Sequence, residues 1–158
     1  MSVIDGLHRE DAFDIDEMRV RLTGTDAVPP VRKHSGDAGA DLFCPKDIDI
    51  EPMGRANVMT GVSVELPDGH VGLVCSRSGM LMSGVAVFGA PGIVDSGYRG
   101  EIGVALVNMT NSVVHVSKGD RIAQLVVVPV CTPSMVVSDT LSESVDGRGE
   151  SGFGSTGR

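Results

Sequence analysis

Aromatic residues are nearly missing from this chain: 158 residues include four phenylalanines, one tyrosine and no tryptophan. Its core must therefore be built from Val, Ile, Leu and Met, within an ordinary hydrophobic share of 41%. Cysteine is scarce as well. Cys44, Cys75 and Cys131 are odd in number and far apart, which argues against a disulfide framework or zinc knuckle and leaves buried, reduced thiols as the expectation. The four histidines, His8, His34, His70 and His115, show no ligand spacing and read as surface or loop residues. The His-x-Glu and Cys-x-x-Cys signature of the zinc deaminases is absent, so zinc chemistry is excluded. No apolar run approaches the ~18 residues that span a bilayer, which excludes a membrane helix. Positive charge is in deficit, with 13 Lys and Arg against 21 Asp and Glu, a net charge of −8. Such a surface repels nucleic-acid backbones and disfavours a polymer-binding role. A small polyphosphate ligand would need local arginines and a divalent cation to offset that field. The acidic start, with Asp5, Glu10, Asp11, Asp14, Asp16 and Glu17, matches neither a secretory signal nor a transit peptide, and the cytoplasm is the expected compartment.

What is present reads as one β-rich domain. Residues 1–17 form an acidic leader expected to be weakly ordered, 18–137 the β domain, and 138–158 a flexible Gly-rich arm. Short Val/Ile-rich runs separated by Gly, Pro, Asp and Asn predict strands over 19–22, 40–44, 47–50, 55–60, 62–65 and 70–76. Others are predicted over 85–88, 101–107, 113–116 and 121–130, with one brief helix over 78–82. Turn chemistry at Pro67-Asp68-Gly69, Asn108 to Asn111 and Lys118-Gly119-Asp120 supports the breaks. The runs Ile102–Val107 and Ile122–Val128 are nearly continuous in apolar residues, a pattern of strands buried on both faces, inside a sandwich or against another subunit.

Four stretches carry polar residues suited to chemistry. Gly92 to Gly100 sets Asp95 and Tyr98 between glycine turns, where an Asp at a strand end can accept a proton from water or simply bond a hairpin backbone. Arg77-Ser78-Gly79 follows a strand and can gather phosphate oxygens, or form a capped turn. Gly119 to Gln124 places one amide, Gln124, in an apolar strand, while Asp120 and Arg121 read equally as an exposed turn pair. The tail Gly147–Arg158, with five glycines in twelve residues, carries Phe153 and two arginines; it suits either a nucleotide lid or a disordered terminus.

Taken in order, Asp37–Leu42, Arg77–Gly79, Gly92–Gly100, Gly119–Gln124 and Arg148–Gly157 resemble the five motifs of the trimeric dUTP pyrophosphatases (dUTPases), across Met18 to Gly157. The resemblance implies an all-β fold, a distorted jelly-roll β-barrel assembled as a homotrimer, with active sites at subunit interfaces and the flexible C-terminal arm closing over a neighbour's site. It implies Mg²⁺-dependent hydrolysis of dUTP to dUMP and pyrophosphate, with no nucleic-acid or membrane partner. Asp95 would then be the base for the water attacking the α-phosphorus, and Tyr98 would exclude a ribose 2′-hydroxyl. Arg77, Ser78, Gly79 and Gln124 would hold phosphate oxygens, and Asp41 would bind Mg²⁺ through water. Uracil would be read by main chain around Gly89, Ile93, Val94 and Gly103; at Gly89 the sequence departs from many bacterial members, which carry asparagine there. In the arm, Phe153 would stack on uracil, while Arg148, Gly154, Ser155 and Thr156 would line the β- and γ-phosphates. A dCTP deaminase of the same fold would instead use a catalytic glutamate after the hairpin, where Glu101 stands, and would lack such an arm. A regulatory nucleotide-binding protein is the reading of another class, with residues 1–17 as its partner contact.

Overall fold

The computed structural model describes residues 17–145 and 149; the rest of the leader, and Arg148, Phe153, Gly154, Ser155 and Thr156 of the arm, lie outside the described residues. The strands are β1 (Arg19–Leu22), β2 (Gly39–Phe43), β3 (Ile48–Ile50), β4 (Arg55–Met59), β5 (Val62–Glu65) and β6 (His70–Cys75). After the helix α1 (Ser78–Met82) come β7 (Val85–Val87), β8 (Gly92–Asp95), β9 (Gly103–Asn108), β10 (Val114–Val116) and β11 (Arg121–Pro129). The fold is all-β, as expected. Every strand but β8 falls on a stretch predicted as strand between turn residues. In β8 only Ile93 and Val94 are apolar, and the strand forms because Val94 pairs with Gly72 and Asp95 with Val71 of β6. Gly72 makes room there: a Cβ would lie 3.0 Å from Leu125 and 3.2 Å from Val94.

All the strand pairs are antiparallel. A four-stranded sheet runs β2–β11–β6–β8, a three-stranded one β4–β9–β7, and two ribbons pair β1 with β5 and β10 with β3. Inward residues of these sheets, among them Leu42, Val58, Val74, Leu106, Ile122 and Leu125, join one buried cluster that is aliphatic apart from Cys44. Each such side chain contributes roughly 1.5–3 kcal/mol by leaving water. At the rim, fully buried Asn108 donates through Nδ2 to the carbonyls of Ile50 (2.9 Å) and Ser112 (2.7 Å). Its Oδ1 accepts from the Thr110 N–H and hydroxyl, both at 2.8 Å, which sets the predicted 108–111 turn.

One expectation is met on a single face within this chain, and another needs correction. Within this chain the apolar strands are not buried on both faces: in β9 Val104 and Leu106 are buried while Ala105 and Val107 are half-buried, and in β11 Val126, Val127 and Val128 are half-buried. Nor are the cysteines alike. Cys44 is buried, with burial pushing its thiol pKa up, Cys75 is half-buried and Cys131 is exposed; all three are free thiols. Among the described residues, no helix is long and apolar enough to cross a membrane.

Of the described histidines, His34 and His115 are exposed, whereas His70 opens β6 half-buried. His115 of β10 pairs across the ribbon with Asp49 of β3, Nδ1 to Oδ1 at 2.7 Å, and that hydrogen bond raises its pKa above 6.5. A raised cation pKa stabilises the fold fully below the unfolded value, and the contribution is lost as pH climbs through the folded value. An NMR titration of His115 should give a midpoint above 6.5 that falls in Asp49→Asn; an unchanged midpoint would show that the carboxylate does not act on the ring.

Candidate active site

Residues predicted to hold phosphate converge at one end of the four-stranded sheet. A bulge in β11, between Arg121 and Ala123, lets Ile122 and Ala123 both turn into the core and sends Gln124 to the outer face. There Gln124 lies opposite Asp41 of β2 and Cys75 of β6. Its Nε2 donates to the Ser76 carbonyl at 3.0 Å, and its amide occupies the space that a Cβ on Gly39 would fill. A larger residue at 39 would displace the Gln124 amide from this position.

Arg77 follows β6 and caps α1 with extended backbone, so Ser78 begins the helical turn and Gly79 comes next with open space over it. The Arg77 Nε meets Asp41 Oδ1 at 2.6 Å, and its Nη1 donates to the Arg121 carbonyl at 3.2 Å. Arg121 Nη1 reaches the other oxygen of Asp41 at 3.4 Å. One carboxylate thus holds two guanidinium groups at the wall of a cavity of about 340 Å³, lined also by Lys33, His34, Asp37, Ser78 and Gln124. The His34 N–H donates to Asp37 Oδ2 at 2.9 Å, which holds that carboxyl below its usual range. Four potentially cationic side chains face two carboxylates here, within a chain whose total charge is strongly negative. The arrangement suits a polyanion accompanied by a cation.

Lys33, His34 and Arg121 were not expected at this site. Arg121 read as half of an exposed turn pair, and nothing in the sequence turned the 32–38 loop inward. The bridge between Val31 and Asp41 folds that loop back over β2. The basic pair just before Asp37-Ala38-Gly39 was the available signal.

Asp95 and Tyr98 lie elsewhere. Asp95 ends β8, exposed, and its carbonyl accepts from the Tyr98 N–H at 3.0 Å. The Tyr98 hydroxyl donates to the Glu101 carbonyl at 3.0 Å, and its ring fills the space over Gly100. In the β6 register Asp95 pairs with Val71, about 13 Å by strand rise from the end of β6 at Cys75, and Arg77 lies two residues beyond that end. The two predicted clusters are therefore not brought together within one copy of the chain. Between them, β8 is an edge strand, so part of its backbone lies outside the ladder; Ile93 is exposed and Val94 is core. Gly89 takes a left-handed φ of 71°, with nothing close above it. Gly103 begins β9 next to Met59, where the chain leaving β7 still donates from the Phe88 N–H to the Ala105 carbonyl at 2.7 Å. The Glu101 carboxylate accepts from the Gly61 N–H and the Thr23 hydroxyl. It ties loops together, and the deaminase role considered for it has no geometric support.

The chain thus sets a cationic pocket at one end of its four-stranded sheet and an acid–tyrosine turn at the other. A family model described as dUTPase matches residues 25–157, and the chain belongs to that family. It is 48% identical over 149 residues to the deoxyuridine 5′-triphosphate nucleotidohydrolase of Leifsonia xyli, covering 93% of this chain and 92% of that protein. To the enzyme of the same name from Tropheryma whipplei it is 44% identical over 143 residues, covering 89% and 97%. The Staphylococcus bacteriophage 80alpha dUTPase, solved with dUpNHpp, superposes with a TM-score of 0.82 at 33% identity, covering 90% of this chain and 99% of that one. A dUTPase variant from phage phi11 of S. aureus, described with a structural Mg(II) ion, gives a TM-score of 0.71 at 29% identity, covering 78% and 97%.

Proposed function

We propose that this chain hydrolyses dUTP to dUMP and pyrophosphate at sites shared between copies of itself, in a jelly-roll homotrimer of the cytoplasm. The observation that carries this reading is the placement of Asp95 and Arg77 toward opposite ends of β6, with Asp95 opposite Val71 and Arg77 beyond Cys75. A water on one and a phosphate on the other meet in one reacting centre when a second copy supplies one of them, which favours a shared site. The half-buried outer residues of β9 and β11 give such copies apolar surface to cover.

Arg77, Ser78, Gly79 and Gln124 hold the phosphate chain in this reading. Arg77 supplies a directional, bidentate-capable donor and Gln124 a neutral one. Asp95 of another copy faces the α-phosphorus, takes the proton of the attacking water and leaves the pyrophosphate oxygen to depart opposite. Tyr98, fixed through its hydroxyl to the Glu101 carbonyl, presents its ring to the deoxyribose and leaves no room for a 2′-hydroxyl. Backbone of Gly89, Ile93, Val94 and Gly103 reads the uracil edge. Phe153 covers the base, and Arg148, Gly154, Ser155 and Thr156 close on the outer phosphates.

The residues fit a divalent cation held through water. Asp41 offers a hard carboxylate on the pocket wall, and no three carboxylates, imidazoles or thiols converge among the described residues to form a cage of their own. Mg²⁺ retains waters and binds phosphates together with one or two carboxylates. When bound it would neutralise charge on the phosphate oxygens while Asp41 fixes its water shell.

Pyrophosphate release from dUTP, UTP, dTTP and dCTP tests the assignment directly. Turnover should be highest for dUTP, with UTP and dTTP down by about 10²-fold, the discrimination a fitted pocket reaches against one added hydroxyl or methyl. Equal turnover of UTP would remove Tyr98 from the sugar.

A further inference from the structure

The turn that carries Asp95 and Tyr98 has little holding it from within. The Tyr98 amide and hydroxyl bonds are local, and Ser96 to Arg99 lie past the end of β8. The fastening comes from Arg99. Its Nη1 donates to the Ser96 carbonyl at 2.6 Å and to the Tyr98 carbonyl at 3.0 Å, so one nitrogen closes the loop on both sides of Gly97. Its Nη2 reaches Glu65 Oε1 of β5 at 3.4 Å, and the other oxygen of Glu65 meets Arg19 of β1 at 3.4 Å. Arg21 of β1 completes the tie from the opposite side. Its Nη2 donates to the Arg99 carbonyl at 2.9 Å and to the hydroxyl of Ser63, a buried residue, at 3.3 Å.

This explains an odd strand. All four residues of β1 are exposed, including Val20 and Leu22, so β1 adds little to the core. What it delivers is Arg21, against the Arg99 carbonyl one residue past the Asp95–Tyr98 turn. We propose that Arg99, braced by Glu65 and Arg21, is a positioning residue for the reaction, holding Asp95 and Tyr98 at the spacing that water activation and sugar exclusion need. The clasp touches neither substrate nor reacting atoms and acts through the backbone of residues 96–99. A planar guanidinium with several fixed donors suits this task, whereas an ammonium on a flexible stem can satisfy only part of it. The proposal rests on the assignment of Asp95 and Tyr98 made above.

The chain's single tyrosine and lack of tryptophan supply a direct readout, since its tyrosine fluorescence comes from Tyr98 alone. In the full-length assembly, Arg99→Ala should lower kcat by on the order of ten- to a hundredfold, as small misplacements of catalytic groups do. KM for dUTP should change little, Tyr98 anisotropy should fall, and UTP should be discriminated less well. Arg99→Lys should recover part of both losses. Glu65→Gln and Arg21→Lys, which leave Arg99 in place, should give smaller shifts in the same direction and carry the test if Arg99→Ala does not fold. Wild-type kcat and anisotropy in these variants, beside an inactive Asp95→Asn, would overturn the clasp and leave the function standing. A melting temperature that drops while kcat of the folded protein holds would reduce Arg99 to a structural strut, which also overturns it. Turnover retained by Asp95→Asn would instead strike the functional reading, and anisotropy would still judge the clasp.

Discussion

Asp95→Asn should bind dUTP with close to its original affinity and lose about 10²–10⁴-fold in kcat, the usual contribution of a positioned general base. The side chain is exposed at the end of β8 and supports no core contact, and the hydrogen bond linking it to Tyr98 uses its backbone carbonyl. The amide preserves shape and polarity but takes up no proton from water at neutral pH. Binding should persist because the phosphate donors sit at the other end of β6, at Arg77 and Gln124. Single-turnover rates should fall in parallel with kcat, and equilibrium binding of a non-hydrolysable dUTP analogue should be unchanged. If affinity falls with turnover, Asp95 shapes the pocket and does not serve as the base.

The strand framework was legible in the sequence because an aliphatic chain punctuated by Gly, Pro and Asn leaves few ways to place short strands. β8 was not, since Gly92-Ile93-Val94-Asp95 owes its extension to pairing with β6, a tertiary effect that two apolar residues do not announce. The polar site was legible to the extent that local chemistry sufficed. Gln124 stood out as an amide in an apolar run, whereas Arg121 did not, because its place beside Asp41 depends on the β11 bulge and the β2 register. Lys33 and His34 belong to a loop whose return over β2 hangs on the bridge from Val31 to Asp41. Arg99 was passed over for the same reason: its role arises from contacts with β1 and β5, more than thirty residues away in the chain. Motif order could name the members of the site, but not which copy of the chain contributes each.

That question has a sharp experimental answer. Arg77→Ala alone should be nearly inactive, since it removes the donor that faces the phosphates and leaves the Asp41 carboxylate with Arg121 as its remaining guanidinium partner; loss of one such donor costs about 10²–10³-fold in kcat. Asp95→Asn alone should be inactive for the reason given above. Co-expressed or refolded together, the two dead variants should nevertheless recover activity. A site that takes its arginine from an Asp95→Asn copy and its aspartate from an Arg77→Ala copy is intact, and random mixing makes about a quarter of sites so in a closed ring of copies. A centre confined to one chain gives none, because no single polypeptide then carries both residues. Recovery in the mixture, absent from either parent at equal total concentration, would locate the chemistry at a junction of subunits. A mixture as inactive as its parents, with mixed assemblies verified by mass, would mean that each chain closes its own site and that the distance along β6 is bridged some other way.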